Sequence, residues 1–334
     1  MESTMRLSFN PMECVRNTII ALILIVLSPV TGGADTTLFQ EPFEDTNFAS
    51  RGWYDITGGM LSTAEKYAGT RSLECRFLVG GTTCNGGNPG RLLFTETDSV
   101  YISYYIKHST NWVGSGQAYH PHMFYFLTNQ DGAYSGLAYT HLTSYVEEVG
   151  GVPTFIIQDG VNIDETRIGA DLTNITEQRA VAGCNGDSDG YGNGTCYVAG
   201  SVHWNGKIWT PGGQVYFNSN QGSAYYKGDW HHVEVYFKLN SLASGKGAKD
   251  GIIQYWYDGV PIMDHSNVVF RTGSNPTMKF NQMVISPWIG DGSPADQTYW
   301  IDNLAIATAP PVSGGVAPPP IPKRPIPPFN IQVR

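Results

Sequence analysis

Hydrophobic and polar residues alternate along most of this chain in short runs, and glycine, asparagine and aspartate separate one run from the next. Alternation with a period of two is the mark of a β-strand that turns one face to a core. The strands so predicted are "SLECRFLV" (72–79), "SVYISYYIKH" (99–108), "HMFYFLT" (122–128), "GLAYTHLTSYV" (136–146) and "VPTFIIQ" (152–158), followed by "HHVEVYFKL" (231–239), "IIQYWYD" (252–258), "MKFNQMVIS" (278–286) and "TYWIDNLAIA" (298–307). No helical period is sustained outside the N-terminus, and no internal repeat is present. Many strands without intervening helices predict an all-β fold, an antiparallel β-sandwich of jelly-roll type, rather than βαβ units.

The stretch "GDWHHVEVYFKLN" (228–240) shows what alternation implies for chemistry. Val233, Val235, Phe237 and Leu239 fall on one face, and Glu234, Tyr236, Lys238 and Asn240 on the other. The first set is a core face; the second is a row of groups able to form hydrogen bonds, move protons and bind carboxylates. His231 and His232 are adjacent, so a regular strand turns them to opposite faces and they cannot share a metal. In the next strand Ile253, Tyr255 and Tyr257 are expected inward, leaving Gln254 and Trp256 beside Tyr236 and Lys238. An aromatic ring among amides and charges on an open sheet suits a sugar, whose apolar face stacks while its hydroxyls take hydrogen bonds. An ordinary solvent face is the plainer reading of the same residues.

Two further clusters carry candidate chemistry. In "YHPHMFYFLTNQDG" (119–132), His120 and His122 share parity across Pro121, and Asp131 lies in the following turn; they read as a His base, with His122 the candidate, or a metal pair at the rim of a groove, and as plain surface histidines at a strand entry otherwise. His141 shares a face with Tyr139, Thr143 and Tyr145, and completes a His/Tyr cluster with His122 if their strands are neighbours. In "CNGDSDGYGNGTC" (184–196), Asp187, Asp189 and Asn193 offer hard oxygen ligands in a glycine-rich turn, as a structural Ca²⁺ requires. The EF-hand pattern is incomplete there, and a disulfide-closed turn without metal fits equally well. "NIT" (174–176) and "NGT" (193–195) match the glycosylation sequon.

Composition narrows the class. The 334 residues include 39 glycines and 19 tyrosines, 15% are charged, and the formal net charge is −9. An acidic surface speaks against nucleic acid and anionic membranes as partners. Residues 19–27, "IIALILIVL", follow Arg6 and Arg16 and precede the small residues Gly32 and Ala34, which predicts a secretory signal peptide over 1–34. Its removal takes away two bases and two acids, so the charge stays at −9. The protein is then expected to be secreted, periplasmic or at the cell surface, with no membrane span after signal removal. Cys75, Cys84, Cys184 and Cys196 remain, an even number in an exported chain, which predicts two disulfides. Of the three possible pairings, Cys75–Cys84 and Cys184–Cys196 are the simplest, because each closes a short loop. A β jelly-roll domain is expected over 35–308, and residues 309–334, with nine of the 20 prolines, form a proline-rich tail or linker.

The segments "WHHVEVYFKLN", "DGIIQYWYDG" and "YWIDNLAIAT" resemble the C-terminal half of concanavalin-like and laminin-G-like jelly rolls. The "KLN … DG" pair and the terminal "DN" strand are most similar to secreted polysaccharide lyases of the alginate and glucuronan lyase type. The resemblance spans residues 228–308, and the N-terminal half shares only the pattern. It implies a curved sheet that binds a polysaccharide, and a mechanism in which a Tyr, His or Lys removes the proton next to a uronate carboxylate, a cation or amide steadies the enolate, and a Tyr protonates the leaving oxygen. Tyr236, Lys238, His122 and His141 are the residues expected in catalysis, with Gln254, Trp256, Glu234, Asn240 and Tyr139 in substrate binding. The ExDxxE carboxylate signature of retaining glucanases is absent, which disfavours a hydrolase. A lectin-like or adhesive module, or a structural surface protein, is the alternative use of the same fold.

Overall fold

The computed structural model describes residues 36–117, 121–129, 143–159, 205–211, 216–244, 246–248, 250–268, 270–271 and 276–311. The signal segment, His120, Asp131, Tyr139, His141, the calcium candidates Asp187, Asp189 and Asn193, the Cys184 and Cys196 pair and the tail beyond residue 311 lie outside the described residues. In chain order the strands are β1 (Thr37–Glu41), β2 (Trp53–Thr57), β3 (Met60–Ser62), β4 (Ser72–Phe77), β5 (Pro89–Thr97), β6 (Ser99–His108), β7 (His122–Thr128), β8 (Thr143–Val149), β9 (Val152–Asp159) and β10 (Asn205–Trp209). They continue with β11 (His231–Lys238), β12 (Leu242–Ala243), β13 (Lys246–Gly247), β14 (Gly251–Tyr257), β15 (Val260–Val268), β16 (Phe280–Trp288) and β17 (Gln297–Ala307).

Two antiparallel sheets stack into a sandwich. The first runs β15-β14-β11-β6-β17-β4-β3, with β1 also paired to β17; the second runs β10-β9-β8-β7-β16-β5-β2. Strand β17, near the C-terminal end of the domain, therefore sits between β6 and β4, and the two halves of the domain are interleaved rather than sequential.

The predicted parity holds along β11 and β14. Val233, Val235, Phe237, Ile253, Tyr255 and Tyr257 are fully or almost fully buried between the sheets. Phe237 of the first sheet meets Phe126, Phe155 and Phe280 of the second at ring distances of 5.0, 5.2 and 5.1 Å. Each such ring contributes about 2–3 kcal/mol by leaving water, and edge-to-face pairing adds to it.

Three features depart from simple alternation. Strand β5 begins with Pro89 and Gly90 and carries no clean period-two pattern, its first four residues being buried on both faces. Gly90 is required there, because a side chain would meet the β2 backbone at Tyr54 O and Ile56 N within 2.9 Å. A register irregularity in β7 between His122 and Phe124 shifts His122 out of the parity of the core phenylalanines. The third is Asn240, expected on the open face with Tyr236: β11 ends at Lys238, and Asn240 is fully buried. Its side chain accepts from Phe270 N and Arg271 N, both at 2.8 Å, and donates to Ser241 O and Arg271 O, so it ties two loops together and is not available to a ligand.

A histidine and a carboxylate lie side by side inside the sandwich. His108 Nε2 is 2.7 Å from Glu148 Oε2, both side chains almost wholly buried, and Lys227 is buried nearby with its Nζ on Trp112 O. The predicted Cys75–Cys84 disulfide is present and fixes the end of β4 to the loop that follows it.

Candidate functional site

The sandwich has two outward faces, and the sequence-predicted residues divide between them. On the first sheet Glu234, Tyr236 and Lys238 of β11 face out, with Trp256 opposite Glu234 and Gln254 opposite Tyr236, as alternation predicts. Several of these side chains are already engaged: Glu234 Oε1 accepts from Tyr101 Oη at 2.5 Å, and Gln254 donates to Asp264 at 3.0 Å. His232 faces the same way, whereas His231 points inward against Tyr257 and bonds Asp258 and the Tyr226 carbonyl. The adjacent histidines thus occupy opposite faces.

His122 belongs to the other sheet. Tyr236 and Lys238 therefore do not converge with it: the whole core separates them. On the outward face of the second sheet, His122 packs against Tyr125 and Tyr145 at 5.7 and 5.2 Å, and those two rings meet each other at 4.4 Å. His122 Nδ1 engages the buried carboxylate of Glu147 from β8, which fixes the ring and directs Nε2 away from Glu147.

The same face continues across β16, β5 and β2. Register places Tyr145 opposite Tyr125, Tyr125 opposite Val284, Val284 opposite Arg91, and Arg91 opposite Tyr54. At roughly 4.8 Å per strand, Arg91 and Tyr125 stand about 10 Å apart. Arg91 is only 2% exposed and its Nε bonds Asp55 at 3.1 Å. Asp55 sits at φ +72° in the β2 irregularity that Gly90 permits, so the backbone distortion aims its carboxylate at Arg91. Gln282, fully buried one row along, accepts from Tyr54 Oη at 3.3 Å.

Tyr125, Leu127, Tyr145 and Val284, with Ile156, form a cluster distinct from the main core. A guanidinium, a carboxamide, a carboxylate-braced imidazole and two phenols thus share one face with an apolar floor. Burial of polar groups on the outer side of a sheet is costly unless they are paired, and pairing to Asp55, Tyr54 and Glu147 holds three of them in fixed orientation. Chemically, such a face can neutralise a carboxylate at one end and exchange protons at the other.

Sequence reasoning found His122 and noted Tyr145, but missed Tyr125, Arg91 and Gln282. Tyr125 was hidden because strict alternation from His122 assigns it to the opposite face. Arg91 lies in a strand that Pro89 and Gly90 disguise. Among the described residues no group of three or more His, Cys, Asp or Glu side chains is placed to hold a metal, and no helix is long and apolar enough to cross a membrane.

No protein-family model and no curated protein sequence matches this chain. Solved structures do. The alginate lyase vAL-1 from Chlorella virus is 12% identical with a TM-score of 0.51, covering 82% of this chain and 99% of that one. The endo-β-1,4-glucuronan lyase of the fungus Trichoderma reesei is 14% identical at a TM-score of 0.45, covering 82% and 96%. The alginate lyase of Aplysia kurodai is 15% identical at 0.46, covering 82% and 100%. The first likeness shows the fold: this chain is an antiparallel jelly roll.

Proposed function

We propose that the protein cleaves a uronate-containing polysaccharide by β-elimination on the outward face of the second sheet. The observation that carries this reading is the presence of buried Arg91 and Gln282 on the same face as the braced His122 and the Tyr125–Tyr145 pair. The chemistry needs those types of group. A proton beside a carboxylate is weakly acidic, and a guanidinium or amide on the carboxylate stabilises the enolate that forms when it leaves. Arg91 brings the guanidinium for that role, and Gln282, buried against Tyr54, supports the face beside it. His122 Nε2 takes the proton, with Nδ1 held on Glu147, and a Tyr125 or Tyr145 hydroxyl donates to the departing glycosidic oxygen. The apolar floor suits the flat face of a sugar ring.

The substrate class is supported by the sequence resemblance to alginate and glucuronan lyases and by the neighbours named above, whose own substrates are alginate and glucuronan. In this reading the chain is exported by residues 1–34, and a Ca²⁺ held by Asp187, Asp189 and Asn193 serves only stability. Formation of the unsaturated uronate, followed by its ultraviolet absorbance on alginate, glucuronan and other uronates, tests the proposal. Glycan binding with no such product from any of them would sink the lyase and leave a lectin-like module.

A further inference from the structure

A second set of reactive groups lies on the opposite side of the molecule, on the outward face of the first sheet. Register places Ser103 of β6 beside Glu234 of β11, and Tyr105 beside His232. The Ser103 Oγ is 2.8 Å from His232 Nε2, and His232 Nδ1 is 3.4 Å from Glu234 Oε2. The hydroxyl thus lies on one nitrogen of the imidazole and the carboxylate is near the other. The order follows the logic of an activated nucleophile: a base within reach of the hydroxyl, and a carboxylate near the base's other ring nitrogen, where it favours an N–H.

The surrounding structure holds this line in place. The His232 ring stacks on Tyr105 at 4.6 Å, and Tyr105 stacks on Tyr67 at 3.5 Å. The Tyr101 hydroxyl donates to the other oxygen of Glu234, and the His232 amide donates to Asp258 Oδ1 at 2.8 Å. Burial holds the His232 imidazole below its ordinary pKa despite the opposing pull of Glu234 and Asp258, so the ring is neutral, as a base must be. Ser103 itself is only partly buried, which leaves its hydroxyl within reach of a substrate.

An independent feature sits next to it. The β17–β6 ladder breaks register between Asp302, opposite Tyr105, and Ala305, opposite Ser103. Asn303 occupies the break at φ +48°, exposed, with its neighbour Leu304 in the core. Bulges of this sort re-aim a side chain and recur beside active sites. A carboxamide at that position is a donor of the type that stabilises an oxyanion, and the strand amides around Ser103 are otherwise committed to ladders on both sides.

We propose that Ser103, His232 and Glu234, with Asn303, form a second catalytic site that hydrolyses small carboxylic esters, such as an acetyl group carried on a sugar hydroxyl. Ser103 Oγ attacks the ester carbonyl while His232 Nε2 takes its proton. The adduct collapses, the carbonyl–alkoxide bond breaks, and His232 returns the proton to the leaving alcohol. Water, deprotonated by His232, then attacks the acyl-serine, and Oγ leaves with the proton. The net reaction is ester plus water to alcohol plus acid, with no external oxidant or cofactor. The Tyr67–Tyr105 stack provides an aromatic wall against which the sugar ring of such an ester can lie.

The test treats the full-length protein with a fluorophosphonate probe and, separately, with p-nitrophenyl acetate. The expected results are a single covalent adduct mapped by mass spectrometry to Ser103, and hydrolysis that falls about 100-fold or more in Ser103→Ala and Glu234→Gln. An adduct at another residue, no adduct, or hydrolysis unchanged in Ser103→Ala overturns the proposal. If Ser103→Ala does not fold, the site of labelling in the unmutated protein decides alone. The outcome is separate from the lyase reading, because folded Ser103→Ala leaves the second sheet's face intact and should form unsaturated uronate at the original rate.

Discussion

Substitution of Asn240 by alanine separates a structural role from a ligand-binding one. Its carboxamide makes four hydrogen bonds in a fully buried position, two as acceptor from Phe270 N and Arg271 N and two as donor to Ser241 O and Arg271 O. Alanine leaves two amide N–H groups without that acceptor, each costing about 1–3 kcal/mol, and removes a donor from two carbonyls. The Arg271 guanidinium, which bonds Asn240 O, Asp98 and Met278 O, keeps its own partners and limits the damage. A total of about 3–5 kcal/mol follows, a large share of the roughly 5–15 kcal/mol that holds a typical domain. For a domain of this size it corresponds to a fall in Tm of roughly 6–20 °C. Calorimetry of Asn240→Ala beside Lys238→Ala is the assay: exposed Lys238 should change stability by no more than about 0.5 kcal/mol. An Asn240→Ala protein that melts within about 2 °C of the original, but binds glycan poorly, would refute the structural assignment.

Other consequences are equally measurable. Burial pushes the Asp302 carboxyl up to about 6 from 3.8, against the pull of the Tyr67, Ala68 and Asn303 amides. A raised folded-state value means stability that is full below about pH 3.8 and lost as pH rises through about 6, worth roughly 3 kcal/mol. Asp302→Asn, which keeps an oxygen for the Tyr67 and Ala68 amides and gives up only the Asn303 amide bond, should therefore gain in Tm relative to the original protein between pH 4.5 and 7.5, and a constant difference over that range would contradict this. Glu148→Ala takes the carboxylate away from His108 and from the field around buried Lys227 and should cost about 3–5 kcal/mol in urea unfolding, with a loss below about 1 kcal/mol counting against the buried contact. Cys75→Ser opens a short covalent loop and should cost about 2–3 kcal/mol, read as a lower urea midpoint that reducing agent reproduces in the original protein.

The fold was legible wherever one face of a strand is apolar without interruption. Strands β6, β7, β11 and β14 fall within a residue of their predicted limits, since Val233, Val235 and Phe237 leave the strand only one orientation. Strand β5 was not legible: proline and glycine at its start and burial on both faces of its first residues erase the alternation. Nor does alternation say which sheet a strand joins. Tyr236 and Lys238 look like partners for His122 until β11 is found in one sheet and β7 in the other, a long-range choice set by packing. The His122 neighbourhood depends on register irregularities against both β8 and β16, with the ring beside Tyr125. Asn240 was misplaced because the strand parity was carried past Lys238, where β11 ends and a carboxamide satisfies loop amides better than it continues a ladder.

The central claim is that the outward face of the second sheet performs β-elimination on a uronate polysaccharide. The most direct measurement is the initial rate of unsaturated uronate formation, by ultraviolet absorbance, with alginate, glucuronan and other uronates, for the original protein and His122→Gln. The account predicts a rise with at least one polymer and a fall of about 100-fold or more in folded His122→Gln, as expected for loss of a general base. No rise with any polymer, or a rise that His122→Gln leaves intact, would contradict it.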